Sequence, residues 1–360
     1  VKIALVTDWI YGGGSELVVE SFHRLYPEAP IYTSYCSDEW CKRLDNKVVT
    51  GYLQHPPFKQ LRKFLPLLRQ WWFAALDLSD FDLVISITGN GEAKFVKVPN
   101  GTHISYCHTP VHFYWRHYKG YLAQPGFRPV WMARLGLKAL VGPLRRRDYG
   151  AAQKIDHFIA NSSHIQADIK KYYGRTSTVI FPPVHTERFS KSLNIQKRNG
   201  FVAWGRHVPM KRLDIAIEAC NQLGLPLTIA GSGPITDDLK KLAGPTIRFL
   251  GRVSDDKLVQ LAQSAEGFLF PSIEDFGIAP VEALAAGTPV IAYHAGGAFD
   301  YIEAGKTGLF FDQQSAVSLV KTLRTFKAAN FNNKHIADYA QRFSDQNFKT
   351  HISNFVVKNT

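Results

Sequence analysis

The stretch from Gly267 to Tyr293 constrains the fold more than any other part of the chain. The apolar run Gly-Phe-Leu-Phe at 267–270 is too short for a helix and stops at Pro271, so it reads as a buried strand. Residues 280–286 read as a helix: Pro280 suits a first helical position, and Gly287 followed by Pro289 ends it. A second apolar run, 290–293, returns as a strand. Strand, loop, helix, strand is one unit of a parallel α/β sheet. Glu274 then lies in the loop at the carboxyl end of a strand, the edge where open α/β sheets bind ligands. Glu282 falls in the first helical turn. The helix start offers unpaired N–H groups and a partial positive charge, which suits an anion, and Gly277 lets backbone approach a ligand closely. Two readings fit. Either two carboxylates hold hydroxyls while amides hold a phosphate, or a loop acid and a first-turn acid only complement the helix dipole.

The same alternation recurs along the chain. Residues 2–7 read as a buried strand, Tyr11-Gly12-Gly13-Gly14-Ser15-Glu16 as a glycine turn, and 16–25 as an amphipathic helix. That layout suits phosphate, and a tight turn explains it as well, since the spacing is not G-x-G-x-x-G. Strands follow at 81–87 and at 103–106, the latter running into Cys107-His108-Thr109-Pro110. A further strand at 154–160 meets a helix-start signal, Asn161-Ser162-Ser163. Residues 179–184, with Pro182-Pro183, are extended and stiff, which suits a linker. Beyond them, a strand at 201–204 leads into Gly205-Arg206, with Lys211 five residues on. An arginine fork and a lysine point charge at that spacing can clamp a diphosphate, or can be two exposed cations on a loop. Strands at 227–230 and 247–250 end in further turns. Gly305-Lys306-Thr307 is not a P-loop, because Asp300 stands where that motif needs its first glycine. The tail, 333–358, reads as one or two amphipathic helices.

Charge is unevenly spread. Of the net +13, the residues up to Pro183 carry 23 Lys and Arg against 14 Asp and Glu, so +9; the rest carry 20 against 16, so +4. An acidic partner for the first half is one reading and a solvated surface another. Two stretches there, 57–76 and 128–147, interleave aromatic and aliphatic residues with cations. Such helices can lie on an anionic membrane surface or pack their apolar faces on their own domain. No run is long enough to span a bilayer. Four cysteines show no metal-ligand spacing. The first residues read as a strand rather than a signal peptide, so the expectation is a reduced, cytoplasmic protein, peripheral on the inner face of the plasma membrane.

The pair Glu274 and Glu282, with seven residues between, resembles the E-x7-E signature of retaining glycosyltransferases of family 4. The resemblance extends through Glu274-Asp275-Phe276-Gly277-Ile278, Pro280-Val281-Glu282-Ala283, 286–293 and Gly296-Gly297, and is strongest to bacterial polysaccharide mannosyltransferases. Asp275 stands where many members have Pro, Asp300 where many have Glu, and His112 where Arg is common. The resemblance implies the GT-B fold: two Rossmann-like α/β domains facing across a cleft, one over 1–182 and one over 183–338, with 339–360 crossing back to the first. It implies transfer of a sugar with retention, most simply mannose from GDP-mannose, to a lipid-linked glycan acceptor, without a metal or other cofactor. By the same resemblance Gly13 and Gly14 face the donor diphosphate, and His108 touches the sugar. Gly205, Arg206, Lys211 and the amides near Gly277 and Ile278, beside Phe276, hold the diphosphate. Glu274 holds sugar hydroxyls, Glu282 holds the ribose, and the segment at Val253 presents backbone to the base. A UDP-sugar or another GDP-sugar donor, or an inactive nucleotide-sugar-binding subunit, are the alternatives. An oxidoreductase or epimerase reading lacks its dinucleotide fingerprint and a Tyr-x-x-x-Lys pair. Nucleic acid is not expected as a partner, because the charge is dispersed and no binding module is recognisable.

Overall fold

The computed structural model describes residues 1–61, 65–123, 129–191 and 198–360. The chain divides into two compact units, Val1–Pro182 with Lys349–Thr360, and Pro183–Phe348. The tail was expected to cross over from residue 339. The boundary between units instead falls between Phe348 and Lys349, inside the helix Asp345–Asn359.

Unit one is built on strands β1 (Ile3–Thr7), β2 (Ile31–Thr33), β3 (Val48–Val49), β4 (Leu83–Thr88), β5 (Thr102–Cys107), β6 (His157–Ala160) and β7 (Thr178–Val179). Their order is β3-β2-β1-β4-β5-β6-β7, parallel throughout. Unit two uses β8 (Phe201–Trp204), β9 (Leu227–Ala230), β10 (Ile247–Gly251), β11 (Gly267–Phe270), β12 (Val290–Tyr293) and β13 (Gly308–Phe311), ordered β10-β9-β8-β11-β12-β13 and again parallel. Both units are Rossmann-like α/β domains. The central strands are apolar almost without interruption because helices cover both faces, so no position is spared burial; every residue of β4 and β11 is buried.

Each strand order reverses once. In unit one the reversal lies between β1 and β4, in unit two between β8 and β11. Crevices open outside the carboxyl ends of the strands at such points, because neighbouring connections leave in opposite directions. The Gly12–Glu16 turn follows β1, Arg206 follows β8 and Glu274 follows β11, so these loops sit at the two reversals, while the 107–110 loop follows β5, one strand beyond β4.

The stretch 57–76 does not form one surface helix. It forms Phe58–Leu61 and Pro66–Ala74; Arg62, Lys63 and Phe64 lie outside the described residues. Trp72 and Phe73 belong to the core that also holds Ala4, Val84 and Ala93. Arg69 is 2% exposed. Much of that apolar face therefore packs on its own unit, with Trp71 left outside at 57% exposure. The second stretch is part of one long helix, Val130–Ala152. Its C-terminal half buries Val141, Leu144, Asp148, Ala151 and Ala152, while Trp131, Met132, Leu135 and Leu140 are exposed. Arg128 lies outside the described residues. Among the described residues, no helix is long and apolar enough to cross a membrane.

Candidate active site

At the reversal in unit two, three loops converge. Lys211 closes the short 3-10 turn Pro209–Lys211 after β8, and its ammonium pairs with Glu274 Oε1 in the loop after β11. The same carboxylate oxygen accepts a bond from Ser272 Oγ at 3.1 Å. The two side chains remain 22% and 26% exposed, so the pair is open to a ligand. Arg206 is exposed, and no ion pair engages it among the described residues. The Glu274 loop is held from behind by the Gly-Gly pair: Gly297 N–H donates to the Glu274 carbonyl at 2.9 Å. A Cβ at Gly296, whose φ is +67°, would lie 2.5 Å from that carbonyl oxygen. That is the physical reason for glycine there.

The following helix runs from Ile278 to Ala285 and is capped by Gly277 at φ 100°. It starts two residues earlier than the sequence suggests, with Pro280 at the third position, where the missing N–H costs no helical bond. Glu282 is therefore the fifth helical residue, beyond the first turn, and not the first-turn acid expected. Its carboxylate accepts a bond from the Trp204 indole at 3.1 Å. Although part of the side chain reaches solvent, dense surroundings push its pKa up to about 7, offset in part by that bond and by Arg188. A carboxyl so poised can take either role toward a vicinal diol. Gly277 is fixed by sterics too, since a Cβ there would sit 2.8 Å from Tyr301 Oη. Phe276 is 4% exposed and packs on Tyr301 and Phe343 at 5.7 Å between ring centroids. Its side chain supports the loop from below. Ile278 is half-buried, as is Val253 in the turn after β10. Gly205 precedes Arg206 at φ 144°.

Unit one places the other expected residues. Gly13 caps the helix Gly14–Leu25. Two of the loop amides are already in use: Glu16 Oε1 accepts from Tyr11 N–H at 3.3 Å and Gly12 N–H at 3.2 Å, while Ser15 Oγ donates to Oε2 at 2.8 Å. His108 follows β5, and its N–H donates to the Thr88 carbonyl at 2.8 Å. Its ring lies edge-on to Tyr106 at 5.3 Å. Trp204, Ser272 and Tyr301 were not singled out in the sequence. Only the strand-end position of Trp204 and the nearness of Ser272 to Glu274 signalled them.

A parallel α/β unit with a cation–carboxylate pair at its reversal, doubled by a second such unit with a glycine loop at its own, defines the GT-B class. Comparisons with known proteins agree. A model described as Glycosyltransferase Family 4 matches residues 12–188, and one described as Glycosyl transferases group 1 matches 184–343. HepE of Anabaena, solved in complex with UDP, matches 99% of this chain and 100% of its own with a TM-score of 0.73 at 19% identity. Residues 12–343 thus carry, in order, the two domains of a family 4 glycosyltransferase. A GDP-mannose-dependent phosphatidylinositol monomannoside mannosyltransferase of Mycobacterium tuberculosis is 30% identical over 184 residues, covering 43% of this chain and 48% of that protein. The α-1,3/1,6-mannosyltransferase ALG2 of Candida glabrata is 24% identical over 82% of this chain and 77% of its own. The match to the mycobacterial relative spans less than half of that protein's length.

Proposed function

We propose that the protein is a retaining glycosyltransferase that moves mannose from GDP-mannose to a lipid-linked glycan in bacterial polysaccharide synthesis. The observation that carries the reading is the Lys211–Glu274 pair at the reversal of unit two, beside the helix start at Gly277. As the bond from C1 to the phosphate oxygen breaks, negative charge gathers on the leaving diphosphate. Lys211 and the amides of Gly277 and Ile278 are fixed donors for that charge, with the exposed Arg206 beside them, and preorganised donors act most strongly where charge develops. In this reading they do the work without a divalent cation. Glu274 accepts from sugar hydroxyls and orients the ring, Glu282 accepts from the ribose, and His108 contacts the sugar. The acceptor hydroxyl adds to C1 on the face the phosphate leaves, and its proton passes to the departing phosphate oxygen. The mannose assignment rests on the names of the mycobacterial and Candida relatives, both mannosyltransferases.

Thermal stabilisation by GDP-mannose, UDP-glucose and UDP-N-acetylglucosamine, with and without EDTA, tests the donor. A ligand at a hundred times its Kd adds about 2.7 kcal/mol. A shift with the GDP compound alone, unchanged by EDTA, is the expected result. A UDP-selective shift discards mannose, and no shift with any donor discards the reading. The anomeric proton signal of the first product reports retention or inversion.

The acceptor's lipid places the enzyme at a membrane, on its cytoplasmic face. Exposed Trp131, Met132, Leu135 and Leu140 on the helix Val130–Ala152 support this. From Ala93 to Arg147 the sequence carries ten Lys and Arg and no Asp or Glu. Of these, Lys94 and Arg116 are paired with Asp148 and Asp168; apolar side chains amid the others suit anionic lipid. Vesicles with phosphatidylglycerol should retain the protein at low salt and release it when Trp131 and Leu135 are both changed to Ser. Loss of the whole chain to the supernatant without any substitution overturns the membrane role.

A further inference from the structure

Under the β1–β4 reversal, unit one is built from charge. Asp8, 3% exposed, follows β1 and accepts four backbone bonds from the loop after β4. Gly89, Asn90 and Gly91 N–H donate to Oδ2 at 2.9, 2.7 and 3.1 Å, and Ala93 N–H donates to Oδ1 at 2.7 Å. Glu92 pairs with Arg69 at 2.6 Å. One residue past Ala93, Lys94 Nζ lies 2.5 Å from Asp148 Oδ1, with side chains 3% and 0% exposed. Lys94 also donates to Tyr173 Oη at 2.7 Å, and Tyr173 Oη donates to Asp148 Oδ2 at 2.9 Å. Burial and Asp148 hold the Tyr173 pKa well above its usual value, so the phenol keeps the proton this chain of bonds needs.

Ion pairs taken out of water are poor stabilisers, because desolvation offsets much of their attraction, and apolar residues of like volume often serve as well. What a connected polar network does supply is direction. Here the network fixes one segment, 108–115. Its first residue, His108, is tied by its N–H to Thr88. Val111 lies so near the Asp8-held loop that a Cβ on Gly91 would be 2.3 Å from Val111 Cγ2. The last residue, Trp115, donates its indole N–H to Asp148 Oδ2 at 2.8 Å.

We propose that Lys94 and Asp148 are positioning residues: joined through Tyr173 and Trp115, they hold the 108–115 segment so that the His108 ring meets the donor sugar in one orientation. The proposal rests on the reading that His108 acts on that sugar. In the full chain, Lys94→Met and Asp148→Leu each leave a buried charge without its partner and should lower Tm. The combined variant removes both charges and should recover part of the loss, the Tyr173 and Trp115 donors still lacking their acceptor. With GDP-mannose as probe, its release of GDP should be slower at least tenfold in kcat while KM for the donor holds. Trp115→Phe, which cuts a single bond, should show the same split to a smaller degree, and keeps the test open should the combined variant not fold. In a His108→Ala background the combined change should cost nothing further, because the residues act through that ring. The His108 imidazole signal in ¹³C-histidine spectra should broaden or shift in the combined variant while that of His185 stays, a readout independent of turnover. A combined variant with full kcat and an unchanged His108 signal, beside an impaired His108→Ala, overturns the positioning role alone. Full activity in His108→Ala overturns the reading of His108 and the inference with it.

Discussion

Replacing Glu274 by Gln should move two measurements in opposite directions. In the free enzyme the Lys211 ammonium is engaged by the Glu274 carboxylate. A diphosphate must share that lysine with a carboxylate of its own sign. Two unit charges about 5 Å apart at an effective dielectric of about 20 interact by ~3 kcal/mol. About a quarter of each side chain is open to water (22% and 26%), so solvent and salt reduce the net effect to about 1 kcal/mol. Glu274→Gln removes the competitor and keeps the shape. Free GDP should therefore bind about 5-fold more tightly, since ~1.4 kcal/mol is tenfold. The complete donor loses a charged acceptor for its hydroxyls, a bond of about 1.5–3 kcal/mol, and kcat should fall by about 10- to 100-fold. Calorimetric titration with GDP and initial rates with GDP-mannose give both numbers on one preparation. Lys211→Met is the control and should weaken GDP and donor alike. GDP affinity that is unchanged or reduced in Glu274→Gln, with Tm intact, would refute the argument that the pair holds the lysine in reserve.

Glu282 should leave a signature in stability against pH. Its pKa is raised to about 7 from 4.5, so between those values the folded state holds a proton that the unfolded state has released. Its contribution is thus fully present below about 4.5, lost as pH climbs to about 7 and absent above. Denaturation midpoints of the parent minus those of Glu282→Gln should fall across that window; a flat difference contradicts the burial. Gly277→Ala should cost about 1–3 kcal/mol, because φ is +100° and the new Cβ meets Tyr301 Oη at 2.8 Å. Adding Tyr301→Phe should restore only the steric part, read as Tm, and full restoration would mean the backbone carries no strain. Trp204→Phe removes the indole bond to Glu282 and should raise the donor KM more than it lowers kcat.

Much of the fold was legible in the sequence for a plain reason. An all-parallel sheet buries both faces of its strands, so β4, β5, β8 and β11 appear as short apolar runs ending in turn residues. Glu274 and Lys211 were legible because each ends a turn after such a run. The polar interior of unit one was not. Arg69 reads as one more cation on an amphipathic stretch, since its partner Glu92 is 23 residues away. Lys94 and Asp148 are farther apart still, and nothing local marks either as buried. Asp8, beside a strand end, looks like any turn-forming acid until the loop that bonds to it is in view. The helix start at Ile278 was misjudged because proline is favoured at the first position but tolerated throughout the first turn.

The Glu16 carboxylate already occupies the amides of Tyr11 and Gly12. An anion that would use those two amides competes with an intramolecular rival tethered four residues away, at an effective concentration on the order of millimolar or more. Weak monovalent anions such as chloride or acetate lose that contest when they are more dilute than this. A diphosphate, with several charges to spread over the same donors, does not. At those two amides the loop is buffered, and monovalent anions at low millimolar concentration should be poor inhibitors of the enzyme.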